Sequence, residues 1–133
     1  MKIIYSSERE FTREQLQELF LSVGWLSGNY PERLYKALNN CETVFTAWAD
    51  GRLIGLINAI DDGELTAYIH YLLVEPEFQK CGIAKILVDL VKEKYNDYLY
   101  LILIAENQQL VGFYNHLGFE YAQGTFAMSI QHR

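Results

Sequence analysis

A mixed α/β domain is the architecture this sequence predicts: a central, mostly antiparallel sheet with one parallel strand pair and helices on both faces. Three observations carry that expectation. The runs TVFTAWAD, RLIGLINAID and ELTAYIHYLLV have strand-like composition and are separated by the turn formers Asp50-Gly51 and Asp61-Asp62-Gly63, so they fold back as an antiparallel meander. An amphipathic helix from Gly82 to about Lys94 leads into the apolar run Tyr98–Ala105, and a helix joining two strands implies a parallel, right-handed crossover. The first third of the chain is helical in its periodicity.

In chain order, Lys2–Tyr5 is a short first strand. Thr12 and Gln15 form a capping box inside a hydrophobic staple of Phe11 and Leu16, opening a helix that buries Leu16, Leu19, Phe20 and Val23. A Gly-Trp-Leu-Ser-Gly loop follows, and Pro31 opens the second helix, PERLYKALNN, with Leu34, Tyr35 and Leu38 inward. After the meander, the helix from Gly82 places Ile83, Ile86, Leu87, Leu90 and Val91 on one face and Lys85, Asp89, Lys92 and Glu93 on the other. Tyr98–Ala105 is apolar enough for a strand buried on both faces. Asn107 caps a last helix ending at Gly118, and Phe119–Gln131 is expected to return as a final strand.

The chain has 133 residues, half of them hydrophobic, which suits one compact domain spanning residues 1–133. No apolar run reaches the roughly 20 residues of a membrane span, and the N-terminus turns polar too early for a signal peptide, so a cytoplasmic protein without a membrane partner is expected. Cys41 and Cys81 match no metal-ligand spacing and are expected as reduced thiols, with no metal site. A net charge of −6 excludes a general nucleic-acid binder, since phosphate-backbone affinity rests on clustered Lys and Arg. An anionic ligand must therefore be held locally.

The place for one is VEPEFQKCGIAKILVDLV. A strand runs into a proline turn, then into a helix whose first amides have no intrahelical partner and whose dipole favours negative charge. Gly82 lets a phosphate approach the backbone, Lys80 and Lys85 add charge, and Gln79 adds an uncharged donor. Neither GxGxxG nor GxxxxGK[ST] is present, which removes the usual dinucleotide and Walker readings. By itself, one glycine before a helix also suits an ordinary strand-to-helix turn.

The segment Gln79-Lys80-Cys81-Gly82-Ile83-Ala84, with its preceding strand and proline, resembles the acetyl-coenzyme A motif (R/Q)-x-x-G-x-(G/A) of the GCN5-related N-acetyltransferase (GNAT) superfamily. Ala105-Glu106-Asn107 and Phe113-Tyr114-Asn115-His116-Leu117-Gly118-Phe119 resemble that family's second cofactor segment, and the order of elements resembles its fold. Ala84 stands where many relatives have glycine. The resemblance implies acetyl-CoA as cofactor, held by residues 79–85 (Gln79, Lys80, the Cys81 backbone amide, Gly82, Ile83, Ala84 and Lys85) and by Asn107 and Tyr114. It also implies a splayed parallel strand pair and a bulge near the end of LLV, with the Leu72 N–H facing the acetyl carbonyl and Val74 holding pantetheine. Tyr114 is implied as the acid that protonates the leaving thiolate.

An amine of pKa near 10 costs about 4 kcal/mol to neutralise at pH 7, so its proton needs an acceptor. His70 is the leading candidate base: imidazole titrates near neutrality, and arylalkylamine N-acetyltransferases of the same superfamily carry a histidine at the similar strand position. Glu64, Asp61 and a water chain are the alternatives, and plain packing of the histidine is the structural one. Trp25 and Tyr30, with Tyr35, are candidates for an aromatic acceptor wall, and Asp61 or Asp62 for drawing an ammonium group. Core filling and turn chemistry are the competing explanations. The expected activity is acetyl transfer from acetyl-CoA to a primary amine of a small molecule by direct attack in a ternary complex. The alternatives are a protein N-terminal or lysine acetyltransferase and a non-catalytic acetyl-CoA-binding module. Relatives often dimerise, so a homodimer is an option that the sequence leaves open.

Overall fold

The structure, a computed structural model, describes residues 2–132. Its order of elements is β1 (Ile3–Ser6), α1 (Arg13–Ser22), α2 (Pro31–Asn40), β2 (Thr43–Ala49), β3 (Arg52–Asp61), β4 (Thr66–Val74), α3 (Ile83–Lys94), β5 (Tyr100–Ile102) and α4 (Gln108–His116), with short 3₁₀ turns at Leu26–Asn29 and Pro76–Phe78. Packing divides the chain into a large unit ending at Leu103 and a small one beginning at Ile104.

In the large unit, five strands form one sheet in the order β1-β2-β3-β4-β5. Every neighbouring pair is antiparallel except β4 and β5, which are parallel. The expected mixed sheet and crossover helix are therefore present. Asp50 and Gly51 both take positive φ, at 49° and 78°, the pairing that closes a two-residue hairpin between β2 and β3. Thr12 accepts from the Gln15 amide while the Gln15 side chain accepts from the Thr12 amide, completing the predicted capping box. Phe11 and Leu16, the staple, are both buried.

Helices α1 and α2 cover one face of the sheet, where Phe20, Leu16, Leu19, Leu34 and Leu38 pack with Val44, Leu53, Leu56 and Leu73. Gly55 precedes Leu56 in the alternation and so faces the other side. A Cβ there would meet Ile83 Cγ2 and Ala47 Cβ at 3.4 Å, so the bare glycine lets the first turn of α3 lie close on the sheet.

Three expectations need correction. The buried stripe of α3 is Ile83, Leu87, Val88 and Val91; Ile86 is exposed and Leu90 half-buried, because the helix turns its contact face toward Val88 rather than toward the 86/90 row. Strand β5 has only three residues, and Tyr100 and Ile102 are exposed, because it lies at the sheet's edge and is not covered as an interior parallel strand would be. Phe119–Gln131 forms no strand. Phe126, Met128 and Ile130 do alternate, but they are 84%, 93% and 84% exposed: the period is that of a strand, yet a strand also needs a partner to pair with.

Candidate active site

The centre of the site is the register of β4. From Ala67 to Ile69 its residues pair with β3 in one frame, Ala59↔Ile69, and from Leu72 in another, Ile57↔Leu72, so His70 and Tyr71 together oppose the single residue Asn58. This is a β-bulge, and it falls immediately before Leu72. Amides along an antiparallel strand alternate between the partner and the far side. Glu75 N–H donates inward to the Ile54 carbonyl at 2.8 Å, and Tyr71 N–H donates inward to Asn58 Oδ1 at 2.8 Å. The alternation therefore turns the amides of Leu72 and Val74 outward. Strand β5 pairs with β4 only from Thr66↔Tyr100 to Tyr68↔Ile102, so on that side neither amide is taken up by a strand ladder.

Beyond β4 the chain turns through Pro76–Phe78 into the helix start. Gln79 Nε2 donates back to the Val74 carbonyl at 3.0 Å, so its side chain ties the loop to the end of β4. Lys80 and Gly82 both take left-handed backbone, at φ 65° and 82°. The first helical bond of α3 runs from Ile86 N–H to the Gly82 carbonyl, which leaves the Ile83, Ala84 and Lys85 amides at the open N-terminus. Residues 79–82 are exposed. The Lys85 ammonium pairs with Asp89 at 2.7 Å, an exposed i,i+4 contact worth little to stability and readily exchanged. Gly82→Ala is expected to cost about 1–2 kcal/mol, because only glycine holds a left-handed φ there without strain. Its Cβ would enter open space, so urea denaturation of the variant measures the backbone term alone.

The two residues of the bulge share a face. His70 stacks on Tyr71 with ring centroids 4.0 Å apart and 21° between planes, and lies near-parallel to Tyr68 at 5.9 Å. Tyr71 continues the array to Phe20 at 4.9 Å and Trp25 at 5.8 Å, and its hydroxyl hydrogen-bonds Ser27 Oγ at 2.8 Å. His70 keeps much of its surface in solvent, but the tyrosines that cover its ring lower its pKa below the ordinary histidine value by desolvation. At neutral pH it is therefore an uncharged imidazole able to accept a proton. In kcat/KM against pH the limb of the free base is expected below the ordinary histidine value, and His70→Ala is expected to flatten it; an unchanged profile would remove His70 from proton transfer.

Trp25 is half-buried against the α1/α2 core and joins the array, whereas Tyr30 is exposed, with Arg33 5.9 Å over its ring. Asp61 is already engaged: its carboxylate accepts from Tyr95 Oη at 2.6 Å and from Gly63 N–H at 2.8 Å. Tyr95 also meets Thr43 Oγ1, and burial together with Asp61 raises the pKa of its hydroxyl. Asp62 caps the turn, accepting from the amides of Glu64, Leu65 and Thr66, which lowers its pKa. Tyr71 and Asn58 did not stand out in the sequence. The one signal was an amide side chain inside the otherwise apolar LIGLINAI, where a buried Asn must find a partner.

The small unit carries Asn107 and Tyr114. Asn107 Oδ1 accepts from the Leu110 amide at 2.9 Å, the expected helix cap. Tyr114 is buried between Phe113 and Phe119, with centroids at 5.2 Å and 5.8 Å, and burial followed by the charge of Glu106 raises its pKa. It keeps its proton through neutral pH. Among the described residues no cluster of His, Cys, Asp or Glu could hold a metal ion, and no helix is long and apolar enough to cross a membrane.

Residues 4–119 match the acetyltransferase (GNAT) family. The chain is 33% identical, over 90% of its length, to the chloroplastic GCN5-related N-acetyltransferase 2 of Arabidopsis thaliana, of which it spans 54%. It is 26% identical, over 88% of its length, to the ycf52 N-acetyltransferase of Pyropia yezoensis, of which it spans 70%. Among solved structures, a GNAT-family acetyltransferase of Streptococcus pneumoniae superposes with a TM-score of 0.85 at 25% identity, covering 99% of this chain and 100% of that one. AAC(6')-Iy, solved in complex with the bisubstrate analogue CoA-S-monomethyl-acetylneamine, shares the fold at a TM-score of 0.77 and 17% identity, covering 98% of this chain and 99% of that one. A match over most of the chain, together with the bulged and splayed β4 and the glycine-led helix start, makes this protein a member of the GNAT family of acetyltransferases.

Proposed function

We propose that the protein transfers the acetyl group of acetyl-CoA to a primary amine of a small molecule, by direct attack in a ternary complex. The observation that carries this is the outward pair of β4 amides at Leu72 and Val74, beyond the reach of β5. Such an edge offers the pantetheine arm the backbone bonds a neighbouring strand would make. The fit extends to the helix start, where Gly82 leaves room for a pyrophosphate and the Ile83, Ala84 and Lys85 amides, with Lys80 beside them, would hold it. Gln79 shapes the loop through Val74, and the Cys81 amide lies within the same turn. By the family resemblance, Asn107 and Tyr114 would add the cofactor contacts of the second segment.

Acetyl-CoA, when bound, supplies an activated thioester. Leu72 N–H would face the carbonyl oxygen of the bound thioester and would favour negative charge there, since a fixed donor in a site shielded from water is worth more than one in solution. His70, uncharged, takes the proton of the attacking amine. Tyr114, protonated through neutral pH, would be the proton donor to the departing sulfur by the family resemblance. The acceptor would lie against Trp25, Tyr71 and the ring of His70. An aromatic surface of this kind favours a compact amine.

Related proteins carry the names histone acetyltransferase TAP1 (Glycine max, 31% identical) and serotonin N-acetyltransferase 2 (Oryza sativa, 30% identical), so the test spans both acceptor types. Release of free thiol from acetyl-CoA is followed across a panel of amines and lysine- or N-terminus-bearing peptides. Turnover with small amines and none with peptides is expected; the reverse would transfer the activity to protein acceptors. Calorimetry showing no heat with CoA would remove the reading altogether.

A further inference from the structure

Asn58 is a buried amide on β3, 3% exposed, facing the point where β4 gains its extra residue. Its Oδ1 accepts the Tyr71 amide at 2.8 Å, while its Nδ2 reaches only the Cys41 sulfur at 3.7 Å. A bulge directs two successive amides toward the partner strand, where a regular ladder directs one. The Asp62 amide bonds the Thr66 carbonyl, which sets the frame in which Thr66, Tyr68 and His70 face β3. Continued without interruption, that frame would turn Tyr71 and Leu73 outward. The bulge moves the sequence of amides by one, so Tyr71 turns inward and Leu72 and Val74 turn out.

We infer that Asn58 is a positioning residue for acetyl transfer: by accepting the surplus Tyr71 amide it holds the bulge in place and thereby selects Leu72 and Val74 as the amides offered to the thioester and its arm. The same contact sets His70 and Tyr71 on one face, where they stack at 4.0 Å. Asn58 touches no reacting atom; it acts through the backbone of β4. This inference rests on the acetyl-transfer reading above.

The test compares Asn58→Leu, which keeps the size and removes the acceptor, with Asn58→Asp, which keeps an acceptor oxygen. For Asn58→Leu, kcat/KM for acetyl-CoA is expected to fall about 10- to 100-fold, the scale of a misplaced reacting group, while Asn58→Asp is expected to recover most of it. Backbone hydrogen exchange followed by NMR reads the cause: Tyr71 N–H is slow in the native protein and in the Asp variant and fast in the Leu variant. A folded Asn58→Leu protein with kcat/KM within about twofold of native would overturn the inference. Should the Leu variant not fold, the native protein decides alone, since rapid exchange at Tyr71 means that Asn58 holds nothing there. CoA titration of the native protein separates the two levels: no binding ends the acetyl-transfer reading, whereas normal binding with an indifferent Leu variant ends only the role of Asn58.

Discussion

Tyr114→Phe is expected to lower kcat by roughly 10²- to 10⁴-fold, the range in which a positioned proton donor contributes, with KM for acetyl-CoA little changed. The substitution removes one oxygen and keeps the ring, so the edge contacts with Phe113 and Phe119 survive and the small unit retains its packing. The raised pKa of Tyr114 makes the direction specific: the hydroxyl is protonated throughout the neutral range, so the loss should be uniform with pH below the tyrosine limb. Stopped-flow or steady-state thiol release measures it. A kcat within a factor of about three of native would mean that the leaving sulfur draws its proton from water and that Tyr114 is a packing residue.

Phe20→Ala is expected to cost about 3–5 kcal/mol, a large share of the stability of a domain this size. Phe20 is fully buried in the α1/α2 core and meets Tyr71 and Trp25 edge-on at 4.9 Å and 6.0 Å. Its removal opens a cavity behind Tyr71, which stacks on His70, and behind Trp25, which meets Tyr71. Urea denaturation gives the stability, and KM for the amine gives the second consequence, a rise as Tyr71 and Trp25 lose their backing. A loss under about 1 kcal/mol would mean that the core closes over the gap and that the aromatic array does not depend on it.

What was legible in the sequence was chemistry that acts within a few residues. Thr12 and Gln15 cap each other across one helical turn, Asp50-Gly51 closes a hairpin, and Gly82 opens a helix; each is settled by short-range sterics and hydrogen bonding. The β4 bulge was expected near LLV only through family resemblance, because nothing in TAYIHYLLV marks which residue is surplus. That is fixed across the sheet by Asn58. The misread final strand has the opposite cause. Alternation at Phe126, Met128 and Ile130 satisfies the local pattern, whereas pairing is a property of a neighbour. In α3, Val88 replaced Ile86 and Leu90 because periodicity defines a stripe about one residue wide of the true contact line, and the sheet chooses between adjacent rows.

Tyr95, at the C-terminal end of α3, bonds both Thr43 and Asp61, and so anchors that helix at two strands. A rod of twelve residues, about 18 Å long, fastened at its tail cannot creep along its own axis. One turn of slippage would displace the amides at its head by about 5.4 Å, more than any anion grip could follow. The tyrosine at the far end would thus set the depth of the proposed phosphate cradle before any ligand arrives, so that the ordering binding would otherwise demand is completed during folding.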